Sequence, residues 1–346
     1  MRIAITVDPI IPVPPRFYGG IERIVDFLTR GLVARGYDVS LLAHPDSDTG
    51  GKLIPYGTPP HFGARARVDE LRAVGQTLYA MRNDVDVIHS FGRLAALVPV
   101  LPLRRIAKIQ SYQRRLVPWR SVRIATALGG KSMLFTACST SVYGGNNAPA
   151  GRWVTVFNGV ELSRYTFRDS VAADAPLVFL GRLERIKGVH NAIEIARQSG
   201  RKLIIAGNRV DAPDDPKYFE NEIVPALKSG DVEYIGAVDD MQKDAILGGA
   251  AALLMPIEWD EPFGIVMAEA LACGTPVIGF ARGSVPEVIR DGVTGFVVKD
   301  VSSAVDSVRN IGRLSRKDAR DDCENRFSDV AIVSEYEKLY AQMSRR

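Results

Sequence analysis

The sequence is poor in the residues that build disulfide frameworks and zinc sites. Its 346 residues include only three cysteines and four histidines, and Cys138, Cys273 and Cys323 lie far apart. Disulfide-stabilised folds and zinc motifs need cysteines at short, paired spacings, so this pattern argues against both. Isolated thiols suit a reducing compartment, and we expect a cytoplasmic protein.

Long hydrophobic runs are also missing. No stretch approaches the roughly 20 apolar residues of a membrane-spanning helix. The opening "MRIAITVDPI" is a short apolar run that contains Asp8 and ends in a turn, so it predicts a first β-strand rather than a secretion signal. With 46% hydrophobic and 24% charged residues, the composition is that of a globular protein, and the length fits two α/β domains.

Acidic residues are absent from residues 87–160. The basic residues of that segment are Arg93, Arg104, Arg105, Lys108, Arg114, Arg115, Arg120, Arg123, Lys131 and Arg152. Residues 1–160 carry a net charge of +10 and residues 161–346 one of −6, which gives the overall +4. The segment is either a solvated basic face or a surface that meets anions such as lipid phosphate or a phosphorylated acceptor. We expect no nucleic-acid partner, because no recognition motif accompanies the basic residues.

Strand-like apolar runs alternate with amphipathic stretches of helical length, and the pattern restarts after residue 160. The first amphipathic stretch repeats apolar residues at helical spacing and ends at a glycine: Ile21, Ile24, Val25, Leu28, Leu32 and Gly36. Further helices are predicted near 66–82, 188–199 and 239–248. Strands separated by helices form parallel sheets.

We therefore predict an α/β chain of two Rossmann-like, doubly wound domains that face a deep cleft. The first spans 1–160 and the second 161–328, with the polar stretch "ELSRYTFRDSVAADAP" as the connection. A final helix lies in 329–346. In such sheets ligands bind beyond the carboxyl ends of the strands.

Two predicted strand ends carry anion-binding signals. In "FLGRLERIKG", Arg182 and Lys187 follow a strand with Gly181 and Gly188 around them, which suits a diphosphate unless the loop is merely exposed and basic. In "RFYGGIERIV", Gly19 and Gly20 open a helix whose amides can hold anionic oxygens, unless they form a plain turn. The glycine fingerprint of dinucleotide enzymes is absent, which argues against an NAD dehydrogenase.

A third strand end, "DEPFGIVMAEALACGTPVIGF", carries two carboxylates within an apolar run. Pro262 predicts a helix start there, and the residues expected in its first turn are Phe263, Gly264 and Ile265. On a helix, Glu261 and Glu269 would lie about 12 Å apart, too far to share a proton as in a glycosidase. Glu269 suits a vicinal diol such as a ribose, and Glu261 suits sugar hydroxyls.

Together these motifs make the chain similar to the retaining glycosyltransferase family 4 of the GT-B fold. The matching pieces are "GGIE", "DVIHS", "NGVELSRY", "GRLERIKG", "IIAG", "YIGAV", the Glu-x7-Glu of Glu261 and Glu269, "ACGTPVI" and "GSVPEVI…DGVTGFVV". They cover nearly the whole chain. "PVPPRFYGGIERIV", with the Glu-x7-Glu region, resembles one bacterial subgroup.

The resemblance implies a role for each candidate. Arg182 and Lys187 would bind the donor diphosphate with Gly19 and Gly20 near it, Glu269 the ribose and Glu261 the donor sugar. The stretch from Ile235 to Val238 would lie against the base. The free amides of the helix start at Phe263, Gly264 and Ile265 would point at an anion. The last helix would cross back to the first domain.

The implied reaction is the metal-independent transfer of a sugar from a UDP- or GDP-linked donor to a hydroxyl, with no cofactor. We expect glycolipid, lipopolysaccharide or exopolysaccharide synthesis, with an anionic or lipid-linked acceptor. The basic first domain suggests peripheral contact at the inner face of the membrane.

One departure bears on catalysis. Many relatives have a histidine after the fourth strand of the first domain, where this chain has Ser111, Tyr112 and Gln113. His89 of "DVIHS" is then a candidate for the cleft and joins Glu261, Arg182 and Lys187 as a catalytic candidate, unless it is a structural histidine or the leaving phosphate acts as base. The alternatives are a nucleotide-sugar 2-epimerase and a non-catalytic nucleotide-sugar-binding protein.

Overall fold

A computed structural model of the chain describes residues 1–15, 19–57, 64–210 and 215–344. These residues form two compact units. Unit 1 is Met1–Asn158 together with Asp329–Arg346, and unit 2 is Gly159–Ser328.

The elements follow one another along the chain as alternating strands and helices. Among the described residues the strands are β1 (Arg2–Thr6), β2 (Asp38–Ala43), β3 (Lys52–Pro55), β4 (Val87–Ser90), β5 (Ala107–Tyr112), β6 (Met133–Ala137), β7 (Trp153–Thr155), β8 (Leu177–Leu180), β9 (Leu203–Ala206), β10 (Val232–Tyr234), β11 (Ala252–Met255), β12 (Val277–Phe280) and β13 (Gly295–Val298). The helices are α1 (Gly20–Ala34), α2 (Ala64–Ala80), α3 (Trp119–Gly129), α4 (Thr140–Tyr143), α5 (Val189–Ser199), α6 (Val224–Leu227), α7 (Asp240–Gly249), α8 (Ile265–Ala272), α9 (Val285–Val288), α10 (Val301–Asn310), α11 (Arg316–Arg326) and α12 (Asp329–Ser344).

Unit 1 is built on one parallel sheet in the order β3-β2-β1-β4-β5-β6-β7. Its central strands are buried because helices cover both faces, and they are mainly apolar, with polar residues such as His89 and Ser111 toward their carboxyl ends. Ile3, Ile5, Val87 and Ile109, for example, are at most 1% exposed. The predicted parallel sheet is confirmed.

Helix α12 packs on α1 of unit 1, although the two are far apart in sequence. Gly31 leaves room for Val333, whose Cγ2 would lie 2.7 Å from a Cβ at that position. Arg35 forms an ion pair with Glu337 at 2.6 Å, and Tyr37 donates a hydrogen bond to the same carboxylate at 2.7 Å. The last helix therefore completes the core of unit 1.

Unit 2 repeats the architecture with a parallel sheet in the order β10-β9-β8-β11-β12-β13. In both sheets the first three strands are added in one direction, and the chain then crosses back to add the remaining strands on the other side of the first one. As a result β1 neighbours β4, and β8 neighbours β11. Such a reversal opens a crevice at the carboxyl ends of the two central strands, where doubly wound folds bind ligands. The loops after β8 and β11 are therefore brought side by side.

The segment that sequence analysis assigned to a polar connection packs firmly within unit 2. Tyr165 is only 8% exposed and donates to Glu269 at 2.9 Å. The Thr166 amide donates to Asp244 at 2.7 Å, and the Arg168 guanidinium donates to the Asp244 carbonyl at 2.8 Å. Its polar composition reflects hydrogen bonds to α7 and α8.

Candidate functional site

The loop after β8 is held against the chain that follows β11. Arg185–Lys187 forms a single 3-10 turn that ends at Gly188, whose φ is +76°. A Cβ at Gly188 would lie 1.9 Å from the Pro256 carbonyl oxygen, so both the conformation and the space require glycine. The Glu258 amide donates to the Ile186 carbonyl at 2.9 Å. This close approach fixes the position of Lys187.

Lys187 and Glu261 form an ion pair at the reversal point of the unit 2 sheet. The Lys187 Nζ lies 2.5 Å from Glu261 Oε2, and the two side chains are only 15% and 11% exposed. The Trp259 indole donates to the same oxygen at 3.1 Å, and its ring centroid lies 4.6 Å from Lys187 Nζ. The two residues that the sequence analysis assigned to the donor are therefore in direct contact, and their binding roles stay predictions.

Arg182 lies on the same loop but is more open. Its guanidinium pairs with Glu184 at 2.8 Å, and its side chain is 45% exposed. Its partner Glu184 is only 11% exposed, so the pair is open to water on the arginine side alone. The exposed N–H groups of the guanidinium can therefore contact an anion while the pair with Glu184 is kept.

Glu269 lies on α8 and is tied to two donors. Lys243 on α7 donates to its Oε1 at 2.6 Å, and the Tyr165 hydroxyl donates to the same atom at 2.9 Å. Glu269 and Lys243 have side chains 10% and 14% exposed. With Oε1 committed to these donors, Oε2 is the oxygen that can accept from a ligand.

The start of α8 differs from the prediction. Phe263 and Gly264 precede the helix, which begins at Ile265, and Gly264 is its N-cap with φ +70°. Phe263 is 2% exposed and packs edge-on against Phe327, with centroids 5.7 Å apart. The left-handed turn at Gly264 delays the helix, so its first free amides are those of Ile265 and the next residue.

The stretch predicted to contact the base follows β10. Ile235 is 36% exposed, and Gly236 has φ +77°, so the chain turns there after the strand. Val238 is half-buried in the loop that leads to α7. The prediction that Ile235 and Val238 meet a base stays a prediction.

In unit 1, His89 is part of a sealed hydrogen-bond network. It is 0% exposed, and its Nδ1 and Nε2 lie 2.6 Å from the Tyr340 hydroxyl and the Ser111 hydroxyl, respectively. Ser111 is in turn bonded to Thr136 at 2.5 Å. Burial lowers the pKa of His89 to about 3, so it is neutral at physiological pH. This geometry favours a packing role for His89, and its catalytic role stays a prediction.

Gly19 and Gly20 lie at the start of α1 in unit 1, as predicted. A Cβ at Gly19 would be 2.7 Å from Pro15 Cβ and 2.9 Å from Glu22 Oε2. The absence of a side chain at Gly19 is therefore required by packing within unit 1.

Several side chains of these clusters escaped the sequence analysis. Lys243 and Trp259 are ordinary residues in sequence, and only the fold brings them to Glu269 and Glu261. Asp8, two residues after β1, and Glu22, in the first turn of α1, carry a signal that the sequence analysis did not use, namely an acid at a strand end and an acid at a helix start. Burial raises the pKa of both carboxyls, against the opposing field of Arg114.

Two classes of feature are missing from the described residues. Within the ranges given above, no three His, Cys, Asp or Glu side chains are grouped as metal ligands would be. No helix in those ranges is both long enough and apolar enough to span a bilayer.

Comparison with known proteins gives matches along almost the whole chain. The family model described as "Glycosyl transferases group 1" matches residues 170–328, and the one described as "Glycosyltransferase Family 4" matches residues 18–164. Glycogen synthase of Mycobacterium tuberculosis is 27% identical, over 86% of this chain and 83% of the relative.

Solved structures share the architecture. AviGT4, a glycosyltransferase involved in avilamycin A biosynthesis, has a TM-score of 0.70 at 24% identity, covering 99% of this chain and 98% of its own. Anabaena HepE in complex with UDP has a TM-score of 0.75 at 20% identity, covering 99% of this chain and 100% of its own. HepE has also been solved with UDP-glucose. At these identities the likeness establishes the fold.

Proposed function

Because the chain belongs to glycosyltransferase family 4 and has the GT-B fold, we propose that it moves a sugar from a nucleotide diphosphate-sugar to a hydroxyl with retention at the anomeric carbon. The observation that carries the proposal is the Lys187–Glu261 pair at the reversal point of the unit 2 sheet. A second pair, Lys243–Glu269, joins α7 to α8 in the same unit.

In the first pair, Lys187 would change partner when the donor binds. In the free protein the charge of Lys187 is neutralised by Glu261. A diphosphate carries more negative charge than one carboxylate and would take Lys187 as its partner. Glu261 is then released to accept hydrogen bonds from the hydroxyls of the donor sugar, while the Trp259 indole still donates to it.

The second pair supports the recognition of a ribose. The Lys243 ammonium and the Tyr165 hydroxyl fix the Glu269 carboxylate through Oε1. Glu269 Oε2 would then accept hydrogen bonds from the vicinal hydroxyls of the nucleoside. The proposed base contacts at Ile235 and Val238 belong to the same unit.

The chemical step needs stabilisation of the leaving nucleoside diphosphate. The bond between the anomeric carbon and the diphosphate oxygen breaks, and the acceptor oxygen bonds to the same face of that carbon. The acceptor proton passes to the departing phosphate oxygen. Lys187, Arg182 and the first amides of α8 supply the positive field, and one preorganised donor of this type contributes about 3 kcal/mol. We propose that no metal is needed.

The acceptor is proposed to be anionic or lipid-linked, as in glycolipid, lipopolysaccharide or exopolysaccharide synthesis. The basic excess of unit 1 supports an anionic acceptor. At the carboxyl end of β1, the Arg93 amide donates to Asp8, and Asp8 and Glu22 share the field of Arg114. This mixed polar edge is where we place the acceptor.

The proposal is tested by a thermal-shift screen of UDP-, GDP- and ADP-sugars in the presence of a chelator, followed by assays of hydrolysis and transfer. We expect one donor to raise the melting temperature and to be consumed, with HepE supporting a UDP-sugar. Product analysis should show the anomeric configuration of the donor. Binding without turnover would instead indicate a nucleotide-sugar-binding protein, and loss of turnover with the chelator would contradict metal independence.

A further inference from the structure

Helix α3 of unit 1 exposes large apolar side chains as well as burying apolar residues. Its inner face buries Val122, Ala125 and Gly129 against the unit. On its exposed side, beside Arg120 and Arg123, Ile124 is 60% exposed and Leu128 43% exposed, although a helix of a globular protein normally turns polar residues outward. Leu116, in the turn that leads into α3, is 91% exposed. We call the outward face of Arg120–Lys131, together with Leu116, the α3 surface.

The outer apolar residues lie on one side of the helix. At 100° per residue, Ile124 and Leu128 are separated by 40° around the axis and stand one turn apart. The buried Val122 lies about 160° from Ile124 around the axis, whereas Leu128 lies at the edge of the exposed face, about 60° from the buried Ala125. Ile124 and Leu128 therefore form a short apolar stripe of adjacent side chains on the exposed face.

Cations flank this stripe without acids. Arg120, Arg123 and Lys131 are exposed, and within the described residues none of their side chains forms an ion pair. At the C-terminal end of α3, the Arg104 Nε lies within 3.7 Å of the place of a Cβ on Gly130, which adds a further cation. Since residues 87–160 contain no Asp or Glu, nothing in the local sequence offsets these charges.

We propose that the α3 surface docks on an anionic lipid bilayer. Helices that lie in a membrane interface carry an apolar stripe bordered by Lys and Arg, which is the pattern found here. The aliphatic side chains would enter the boundary between headgroups and acyl chains, and the cations would meet lipid phosphate. Because the inner face of α3 is packed on unit 1, the whole unit would be held at the surface by this one helix.

Two other occupants fit less well. A symmetric contact between two copies would bring the same cations face to face, and like charges across an interface are costly. Single-stranded nucleic acid needs exposed aromatic rings for stacking, whereas Trp119 of α3 is already packed edge-on against Trp153 at 5.7 Å. A vesicle-binding experiment distinguishes binding of a second copy and binding of nucleic acid from binding of a bilayer.

The experiment measures binding of the full chain to sedimented vesicles, either of neutral phosphatidylcholine or with phosphatidylglycerol added. No donor or acceptor is present, so the result does not depend on the proposed activity. We expect binding to the anionic vesicles alone. Raising the salt from about 0.1 M to about 1 M shortens the screening length from about 10 Å to about 3 Å and should release the protein.

Two pairs of matched variants locate the surface. Arg120→Gln/Arg123→Gln should weaken vesicle binding roughly thirtyfold, whereas Arg67→Gln/Arg72→Gln, which removes the same charge from α2, should not. Ile124→Ser should weaken binding roughly tenfold, whereas Val68→Ser, also on α2 and 55% exposed, should not. All six substituted residues are exposed, and equal melting temperatures would show that the four variants fold.

Several results would overturn the proposal. These are no vesicle binding, equal binding to neutral vesicles, or equal losses in the α2 and α3 variants. Sedimentation as a dimer that Ile124→Ser dissociates would assign the α3 surface to a second copy. Salt-sensitive binding of single-stranded oligonucleotides in place of vesicles would assign it to nucleic acid.

Discussion

Both sheets place polar side chains near the carboxyl ends of their central strands, but the two units treat them differently. In unit 1, His89, Ser111 and Thr136 form a neutral network that α12 covers with Tyr336 and Tyr340. In unit 2, Lys187 with Glu261 and Lys243 with Glu269 form charged pairs whose side chains keep 10–15% of their exposure.

The difference shows that a polar residue at a strand end does not by itself mark a ligand site. A neutral network can be sealed, because every member finds a partner and no charge loses its water. A partly buried ion pair has lost some of its hydration. A ligand that offers one of its charges a better partner therefore binds there favourably. Substitutions in the charged pairs and in the neutral network should therefore have different effects on turnover and on stability.

Removing the cation of the first pair should have the largest effect. In Lys187→Ala we expect turnover to fall at least about a hundredfold, since one preorganised donor to the leaving diphosphate is lost. Initial rates at saturating donor would measure it. Lys317→Ala, which breaks an exposed pair with Asp321, is the control and should keep normal turnover. Near-normal rates in a folded Lys187→Ala variant would remove Lys187 from the site.

Through His89, the neutral network of unit 1 should make the free energy of unfolding depend on pH. It should contribute little to turnover. Burial lowers the pKa of His89 to about 3 in the folded chain, against about 6.5 unfolded, so the unfolded state takes up the proton first as pH falls. The stabilisation is complete above pH about 6.5 and is lost progressively toward pH about 3.

Urea denaturation at several pH values checks this. Between pH about 6.5 and 5, the free energy of unfolding should fall by about 2 kcal/mol more in the native chain than in His89→Gln. Turnover of the folded variant should be near normal. A dead but fully stable His89→Gln variant would reverse the comparison and return His89 to the active site.

Removing the cation of the second pair should have a smaller and different effect. Lys243→Met keeps the length of the side chain but loses the bond to Glu269 Oε1, while Tyr165 still donates. We expect the KM for the donor to rise about tenfold with little change in kcat, since the bond acts on the nucleoside rather than on the breaking bond. Lys338→Met, paired with Glu335 on the exposed side of α12, should change neither. A loss confined to kcat would place Lys243 at the reacting centre.

Much of the fold could be predicted because periodicity and glycine placement are local signals. The helix predicted from the apolar repeat after Gly20 runs as α1, and those predicted near 188–199 and 239–248 run as α5 and α7. The start of α8 was misplaced, because a proline favours a helix start but the left-handed turn at Gly264 decided it. Propensity is a weak signal where one glycine sets the backbone.

The candidate site was predictable only where a charge looked out of place. Glu269 stands within an apolar run and Lys187 follows a strand, so both were selected from sequence. Lys243 and Trp259 carry no such signal, because their partners come from loops that only the sheet order brings together. The burial of His89 could not be predicted for the same reason, since its partners Tyr336 and Tyr340 lie on α12, more than 240 residues away.

The most direct test of the account is a crystal structure of the chain with UDP. We predict that the diphosphate lies against Lys187, Arg182 and the first amides of α8, with Lys187 Nζ moved away from Glu261 and the ribose hydroxyls on Glu269. A diphosphate seated elsewhere, with the Lys187–Glu261 pair unbroken, would contradict it.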